Sequence, residues 1–170
     1  LEWKITLRNN VTFQNGEKMT GAKVEASLKR LIEKSKRAAD DLGIESIHSD
    51  GQTVNIKTKL EQPIMKNLLA EPYSVIVDVD GKAASDKSPV GTGPFLIKTY
   101  TPETGATLEA YENYWGGKAK VAQVQIKYFS DPTAISASLQ SKEVDAVYGL
   151  PYANLASFKK DSQYKISEKE

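Results

Sequence analysis

Hydrophobic and polar residues alternate strictly at the start of the chain. The apolar positions of this stretch, each followed by a polar residue, are Trp3, Ile5 and Leu7. A period of two predicts a half-buried strand. Val11 and Phe13 extend the pattern to a turn at Asn15-Gly16, where glycine adopts a positive φ at little cost. We therefore expect the chain to open with a strand that runs to this turn.

The spacing of the apolar residues then becomes helical. The positions that share one face are Val24, Leu28, Leu31 and Ile32. Thr20 precedes them as an N-cap, and Met19 and Val24 occupy the staple positions on either side of it. The pattern predicts an amphipathic helix from about Thr20 to Lys36. The cations expected on its outer, solvated face are Lys23, Lys29, Arg30, Lys34, Lys36 and Arg37.

A β-hairpin is predicted after this helix. Residues 44–49 and 53–60 flank Asp50-Gly51, which is a strong signal for a two-residue turn. Pro63 opens a short helical stretch through Leu69. The continuous β-rich run from Tyr73 to Val79 is predicted to form a further strand.

The second half of the chain predicts further strands, a turn and two helices. The expected strands are residues 95–100, 107–111, 124–129 and 144–148, and the expected turn is residues 113–117 around Trp115. Asp131-Pro132 supplies an N-cap aspartate and a proline at the first position of a helix. A second helix is expected from Pro151 to Lys160.

The order of these elements is typical of a mixed α/β or α+β fold, because hairpins and single helices precede a strand-helix-strand-helix unit from Val121 to Lys160. The polar segment from Asp80 to Ser88 is predicted to be a mobile surface loop at a boundary. We therefore expect a small α+β domain over residues 1–88 and a partial α/β lobe over residues 89–170.

Composition narrows the classes of function. The 170 residues are 39% hydrophobic and 26% charged, with a net charge of +1, so no overall field attracts nucleic acid or an acidic surface. No apolar run is long enough to span a bilayer. Cysteine is absent and His48 is the single histidine. The absence of cysteine excludes thiolate chemistry. A single histidine disfavours a histidine-based metal site and a hydrolase with a histidine base.

Several short motifs, in order along nearly the whole chain, resemble one family. Residues 3–16 (WKITLRNNVTFQNG) resemble the W-x-x-x-L-R-x-x-V-x-F-x-x-G opening of the peptide/nickel/opine-type solute-binding proteins. Residues 89–95 (PVGTGPF) resemble its P-x-G-T-G-P-[FY] signature, and residues 111–118 (YENYWGGK) resemble its N-x-x-Y-W-G-G-K aromatic turn. Residues 141–145 (SKEVD) correspond to S-G-E-[IV]-D, with Lys142 in place of the glycine.

The resemblance implies a type II periplasmic-binding-protein-like fold and a substrate-binding component of an ABC importer. Members of this family are longer, so the chain reads as an internal segment that supplies the small extra domain and part of the first lobe. It would carry only part of a cleft. The implied ligand is a short peptide by default, or a nickel complex, and the implied partner is an ABC permease. A monomer outside the cytoplasm, periplasmic or lipid-anchored at the cell surface, is expected, with no enzymatic activity, cofactor, resident metal or nucleic-acid partner.

One segment is placed for ligand contact. Tyr148, Gly149 and Tyr152 lie between a predicted strand and a predicted helix, and loops at the carboxyl ends of strands bind ligands in open α/β sheets. The tyrosines would offer a ligand aromatic surface and a hydroxyl group for hydrogen bonding. The alternative, that they only pack a helix start, is equally compatible with the sequence.

Other interpretations are weaker. The glycines in Gly91-Thr92-Gly93 invite a phosphate-loop interpretation, but Pro94 lacks an N–H and no helix begins there, which favours a structural turn. A small hydrolase or transferase would need clustered titratable groups. An interaction domain that used the basic helix would bind anionic surfaces in a salt-dependent manner. The sequence alone identifies neither the ligand nor the permease.

Overall fold

The computed structural model describes residues 1–80 and 89–167. The predicted loop at residues 80–88 lies, except for Asp80, outside the described residues. The chain forms two compact units, Leu1–Tyr100 with Ala106–Ile126, and Thr101–Gly105 with Lys127–Glu170. These are called here the first and second unit. The boundary expected at residue 89 remains a prediction.

The first unit is built on a three-stranded antiparallel sheet. Its strands are β1 (Glu2–Thr6), β2 (Ile44–Asp50) and β3 (Thr53–Thr58), in the order β1-β3-β2. The predicted hairpin is therefore confirmed, but its turn lies one residue later than expected, because Asp50 pairs with Thr53 and the two turn residues are Gly51, at φ 56°, and Gln52. Val54, Ile56 and Thr58 are buried and the residues between them are exposed, as the period of two predicts.

Two helices follow β1. The predicted amphipathic helix is α1 (Gly21–Lys34), capped by the Thr20 side chain, which accepts a hydrogen bond from Lys23 N. It ends earlier than expected because Ser35 has an extended backbone and caps a second helix, α2 (Lys36–Leu42), through Ala38 N. The hydrophobic pattern did not predict α2, although Gly43 supplies its left-handed C-cap at φ 55°.

The core of the first unit lies between this sheet and these helices. Its fully buried side chains include Phe13, Leu42, Val54, Ile56 and Met65. Met65 belongs to the short helix α3 (Met65–Leu68), which lies within the stretch predicted from Pro63 to Leu69. The same core takes side chains from α1 and β2, and Trp3 and Ile5 of β1 pack against it while partly exposed. Burial of this apolar surface stabilises the arrangement of these elements.

The strand predicted from Tyr73 to Val79 is wrong. Residues Pro72–Ser74 form a 3-10 turn, and only an isolated bridge joins Val77 to Gly91. A side chain, not a neighbouring strand, binds the backbone N–H of Val77, which donates a hydrogen bond to Ser27 Oγ at 3.0 Å. Without a continuous neighbouring strand, the β-rich composition does not produce a strand.

The second sheet has the order β4-β5-β6. Its strands are β4 (Phe95–Thr101), β5 (Gly105–Ala110) and β6 (Gln123–Lys127), close to the predicted bounds. The predicted aromatic turn follows β5, with Gly117 at φ 96° and its N–H donating to Tyr114 O at 3.0 Å.

The last two helices are α4 (Pro132–Gln140) and α5 (Tyr152–Lys159). Asp131 caps α4 by accepting from Thr133 N at 2.8 Å, as predicted. The strand predicted at residues 144–148 is wrong, because Glu143 N and Val144 N both donate to Ser138 O and the chain turns there. The predicted strand-helix-strand-helix unit is therefore a strand, a helix, a loop and a helix.

Candidate ligand-contact loop and its setting

The loop between α4 and α5, residues 141–151, carries the predicted ligand residues Tyr148 and Gly149, and Tyr152 opens α5. Tyr148 is fully exposed, at 102% of its reference area, and Tyr152 is 84% exposed. Gly149 has φ 76°, a conformation that favours glycine. These residues are predicted to contact ligand because they would follow a strand at residues 144–148. That strand is absent, so they do not lie at the carboxyl end of a strand. What remains is two exposed phenol rings close in sequence.

The base of this loop is fixed by hydrogen bonds within the second unit. Asn154 Nδ2 donates to Ser136 Oγ at 2.6 Å, which ties α5 to α4. Phe158 is buried and packs edge to face on Tyr164, with ring centroids 4.9 Å apart. Pro151, at the N-cap of α5, has a restricted φ. The tyrosines are therefore exposed side chains on an anchored loop.

A buried polar cluster in the first unit escaped the sequence analysis. Asp78, with no exposed side-chain area, accepts from Lys23 Nζ at 2.7 Å and from Asn15 Nδ2 at 2.8 Å. Lys23 Nζ also contacts Glu17 at 2.6 Å. Lys23 is therefore not on the solvated outer face of the helix, where the sequence pattern predicts it. The cation is directed inward because Asp78, 55 residues away, supplies its partner.

These contacts set the pKa values of the pair. Burial raises the pKa of Asp78, but the hydrogen bonds from Lys23 and Asn15 outweigh burial and the pKa is lowered overall. Hydrogen bonds to Asp78 and Glu17 raise the pKa of Lys23. Both groups are therefore charged over a wider pH range than in a peptide.

Gln14 fastens the glycine-rich turn to the first unit. Its side-chain oxygen accepts from Gly91 N at 3.2 Å, and its amide nitrogen donates to Gly93 O at 3.2 Å and to Phe95 O at 2.6 Å. The Gly91 N–H that an anion would need is occupied, in agreement with a structural turn. The sequence offers no signal for this role, since glutamine is common on surfaces.

Three cation–aromatic contacts are seen among the described residues of the first unit, and one of them places Lys23 Nζ 5.5 Å from the Phe13 ring centroid. The Arg8 guanidinium stands 4.7 Å from the Trp115 ring centroid, so this tryptophan of the aromatic turn is partly covered. Arg37 stands 5.4 Å from the Tyr73 ring, whose hydroxyl donates to Asp41 at 3.1 Å. Burial and this hydrogen bond raise the pKa of Tyr73.

The predicted basic face of α1 and α2 is largely neutralised. Lys29 pairs with Glu25, Lys34 with Glu33, and Arg37 with Asp41. Glu25 also accepts from Ser49 N at 2.7 Å. The Lys29 and Ser49 hydrogen bonds lower the pKa of Glu25. Interspersed carboxylates of this kind favour the solvated face over an anion-binding surface.

Across residues 1–80 and 89–167, no group of three or more histidine, aspartate or glutamate side chains is arranged to hold a metal ion. Within the same residues, no helix combines the length and the apolar character that crossing a bilayer requires.

Comparison with known proteins identifies the family. Residues 1–170 match the model of the bacterial extracellular solute-binding proteins, family 5, middle region. The nickel-binding protein NikA of Staphylococcus aureus is 34% identical over 164 residues, which are 96% of this chain and 33% of that protein. The chain therefore spans about a third of the length of this relative.

Solved structures agree. The crystal structure of NikA from S. aureus in complex with Ni(L-His)2 matches with a TM-score of 0.88 and 33% identity, over 95% of this chain and 35% of that one. A nickel ABC transporter protein from Bacillus halodurans gives 0.86 and 35%, over 95% of this chain and 34% of that one. AgaA of A. tumefaciens R10, in complex with agropinic acid, gives 0.81 and 29%, with the same two coverages. The fold is part of a type II periplasmic binding protein, and the chain belongs to the family 5 bacterial extracellular solute-binding proteins.

Proposed function

We propose that the protein containing this chain captures a small solute outside the cytoplasm and delivers it to an ABC permease in the membrane. The observation that carries the proposal is the match of the family to every residue of the chain, 1–170, together with a TM-score of 0.88 to a ligand-bound member. The protein acts by binding and release and catalyses no reaction. It is a monomer, held in the periplasm or by a lipid anchor at the cell surface.

The proposed ligand is a nickel ion held in a small organic chelate, with a short peptide as the second candidate. Nickel is named in two of the similar structures, which are 33–35% identical to this chain with TM-scores of 0.86–0.88. An organic chelate also suits Tyr148 and Tyr152, because exposed phenol rings offer stacking surface and a hydrogen-bonding hydroxyl to an organic group. The nickel ion is cargo in this proposal.

In this proposal the chain supplies one side of the site. Residues 1–88 form the small extra domain and residues 89–170 part of the first lobe, and the ligand binds when two lobes close on a hinge. Tyr148 and Tyr152 contact the ligand from the loop before α5, and Gly149 lets the backbone turn between them. The remaining contacts come from parts of the protein outside these residues.

Calorimetry and thermal unfolding of the full-length protein test the proposal. The probes are NiCl2, L-histidine, the Ni–histidine complex and a set of short peptides. A ligand present at 100 times its Kd stabilises the folded state by about 2.7 kcal/mol. We expect stabilisation by the Ni–histidine complex alone. Stabilisation by peptides alone would replace nickel as the ligand, and no response to any probe would contradict a role in nickel or peptide uptake.

Tyrosine variants test the loop separately. Tyr148→Ala and Tyr152→Ala are each expected to weaken binding by about two- to tenfold, since stacking contacts of this kind contribute about 0.5–1.5 kcal/mol. Tyr100→Ala is the matched control, because Tyr100 is also exposed, at 52%, but lies on β4. Unchanged affinity in both loop variants would remove these residues from the site and leave the transport function standing.

A further inference from the structure

Asn15-Gly16 is the sole asparagine-glycine pair in the sequence. Asparagine side chains are thermolabile, and a following glycine, which has no side chain, leaves its backbone nitrogen free to approach the asparagine Cγ. Both residues are exposed, so water reaches the site. The chain therefore carries one position with the chemistry for rapid deamidation, in the turn before α1.

The fold restrains both reacting groups at this position. The Gly16 N–H, which would be the nucleophile, donates to Phe13 O at 2.8 Å. The Asn15 side chain is held at both ends, since Nδ2 donates to Asp78 at 2.8 Å and Oδ1 accepts from Glu17 N at 3.0 Å. Ring closure needs these hydrogen bonds to break.

The environment of Asn15 requires an amide. The Asp78 side chain is fully buried and forms a salt bridge with Lys23, and Lys23 forms a second salt bridge with Glu17. Asn15, Glu17, Lys23 and Asp78 are called here the Asn15 clasp. An aspartate at position 15 would lose the N–H that Asp78 accepts and would set a second carboxylate against it. Like charges at this distance raise the pKa of one partner and cost stability.

The clasp holds a longer segment in place. Asp78 N donates to Val90 O at 2.8 Å, and Val77 forms a bridge with Gly91. Asn15 therefore acts, through Asp78, on the pairing of residues 77–78 with residues 90–91. Its neighbour Gln14 binds Gly91 and Gly93 directly, so one turn fastens this pairing from both sides.

We propose that Asn15 is a deamidation site that the closed clasp protects, and that its conversion to aspartate or isoaspartate opens the clasp. In the reaction the Gly16 nitrogen loses its proton and forms a bond to Asn15 Cγ. The bond from Cγ to Nδ2 breaks and ammonia leaves, which gives a succinimide. One water molecule then hydrolyses the succinimide at either carbonyl and gives aspartate or isoaspartate. Overall, the asparagine amide and one water molecule are converted into a carboxylic acid and ammonia. The product cannot re-form the clasp.

Peptide mapping of the full-length protein at mildly alkaline pH tests the protection. Asn113, which is exposed and followed by tyrosine, is the internal control. In urea, Asn15 is expected to convert faster than Asn113. In buffer its conversion should slow by about tenfold or more, because reaction waits for local opening. Equal rates for Asn15 in urea and in buffer would overturn the proposal, and so would conversion no faster than that of Asn113 in urea.

Variants test the opening. Asn15→Asp is expected to lower Tm and to speed amide exchange at Val77, Asp78 and Gly91 near neutral pH. Both effects should shrink as the pH falls towards about 4, where one carboxyl binds a proton. The groups that face position 15 in this titration are Asp78, Lys23 and Glu17.

The double variant Asn15→Asp, Asp78→Asn exchanges donor and acceptor and keeps one carboxylate near Lys23, so it should recover Tm and slow exchange. Wild-type Tm and exchange in the single variant would contradict the proposal. A double variant that recovers neither would do the same, and this comparison decides the matter if the single variant folds poorly.

Discussion

The two compact units differ most in what they bury. Among residues 1–80 and 89–167, fourteen of the fifteen buried hydrophobic residues, from Val11 to Tyr111, belong to the first unit. In the described part of the second unit, Phe158 is the buried hydrophobic residue, and α4 buries Ser138. The first unit is therefore organised around its own core. The second unit depends more on caps and hydrogen bonds, such as that of Asp131 with Thr133 and that of Asn154 with Ser136.

This difference suggests different dependence on the rest of the protein. Buried apolar area is the main source of stability, and the relative NikA is about three times as long as the chain. We expect the first unit to tolerate separation from the full-length protein better than the second.

The largest contrast is expected between two phenylalanines. Phe13→Ala should destabilise the first unit by about 4 kcal/mol, because Phe13 is fully buried in a packed core and leaves a cavity. Phe158→Ala should cost less, about 3 kcal/mol, because Phe158 is the buried hydrophobic residue of the described part of the second unit and its surroundings can collapse more easily. Urea unfolding, with hydrogen exchange to separate the units, measures both. Equal losses would show that the second unit has a comparable core.

Removing Lys23, the partly exposed cation that pairs with buried Asp78, is the next largest effect. Lys23→Met leaves Asp78 buried without its ion partner, and we expect a loss of about 3 kcal/mol near neutral pH, towards the lower end for such pairs because Lys23 is partly exposed. The variant should lose less at low pH, where Asp78 can bind a proton. Lys118→Met, which affects an exposed pair with Glu112, is the control.

The same pair predicts the pH dependence of the native first unit. The lowered pKa of Asp78 means that its contribution is complete above the ordinary aspartate value of about 4 and is lost as the pH falls through the folded value. The raised pKa of Lys23 means that its contribution is complete below the ordinary lysine value and is lost as the pH rises through the folded value. A flat acid limb in thermal unfolding would contradict the role of Asp78.

A smaller loss is expected at the glycine-rich turn. Gln14→Met keeps the volume of the side chain but removes three hydrogen bonds to residues 91–95, at a cost of about 1–3 kcal/mol. Gln125→Met, on the exposed strand β6, is the control and should change little. Faster amide exchange at Gly91 in the Gln14 variant, but not in the control, would identify the turn as the affected place.

The smallest effect is expected at the aromatic turn. Arg8→Gln removes the cation above Trp115 and should cost about 0.5–1 kcal/mol, the usual size for an exposed cation–π pair. Trp115 fluorescence should shift, whereas Trp3 reports from another element. A variant with unchanged fluorescence and stability would show that Arg8 only lies beside the ring.

Local pattern determined much of this fold. Alternation in β3 and the glycine at residue 51 indicate the hairpin of β2 and β3, because successive side chains on a strand point to opposite faces and glycine adopts a positive φ at little cost. Thr20 and Asp131 mark helix starts because their side chains satisfy free N–H groups within two or three residues. The family motifs add what pattern alone lacks, since they identify the class of protein without any knowledge of which residues touch.

Tertiary structure decided the rest. Residues 73–79 and 144–148 have strand-like composition, yet neither finds a neighbouring strand along its length, and a strand exists only where another pairs with it. Lys23 looks like any outward cation on a helix until Asp78 and Glu17 meet it. Gln14 and Asn15 look like ordinary turn residues until residues 78 and 91–95 fold against them. These roles depend on partners far along the chain, and only the folded chain brings those partners within hydrogen-bonding distance.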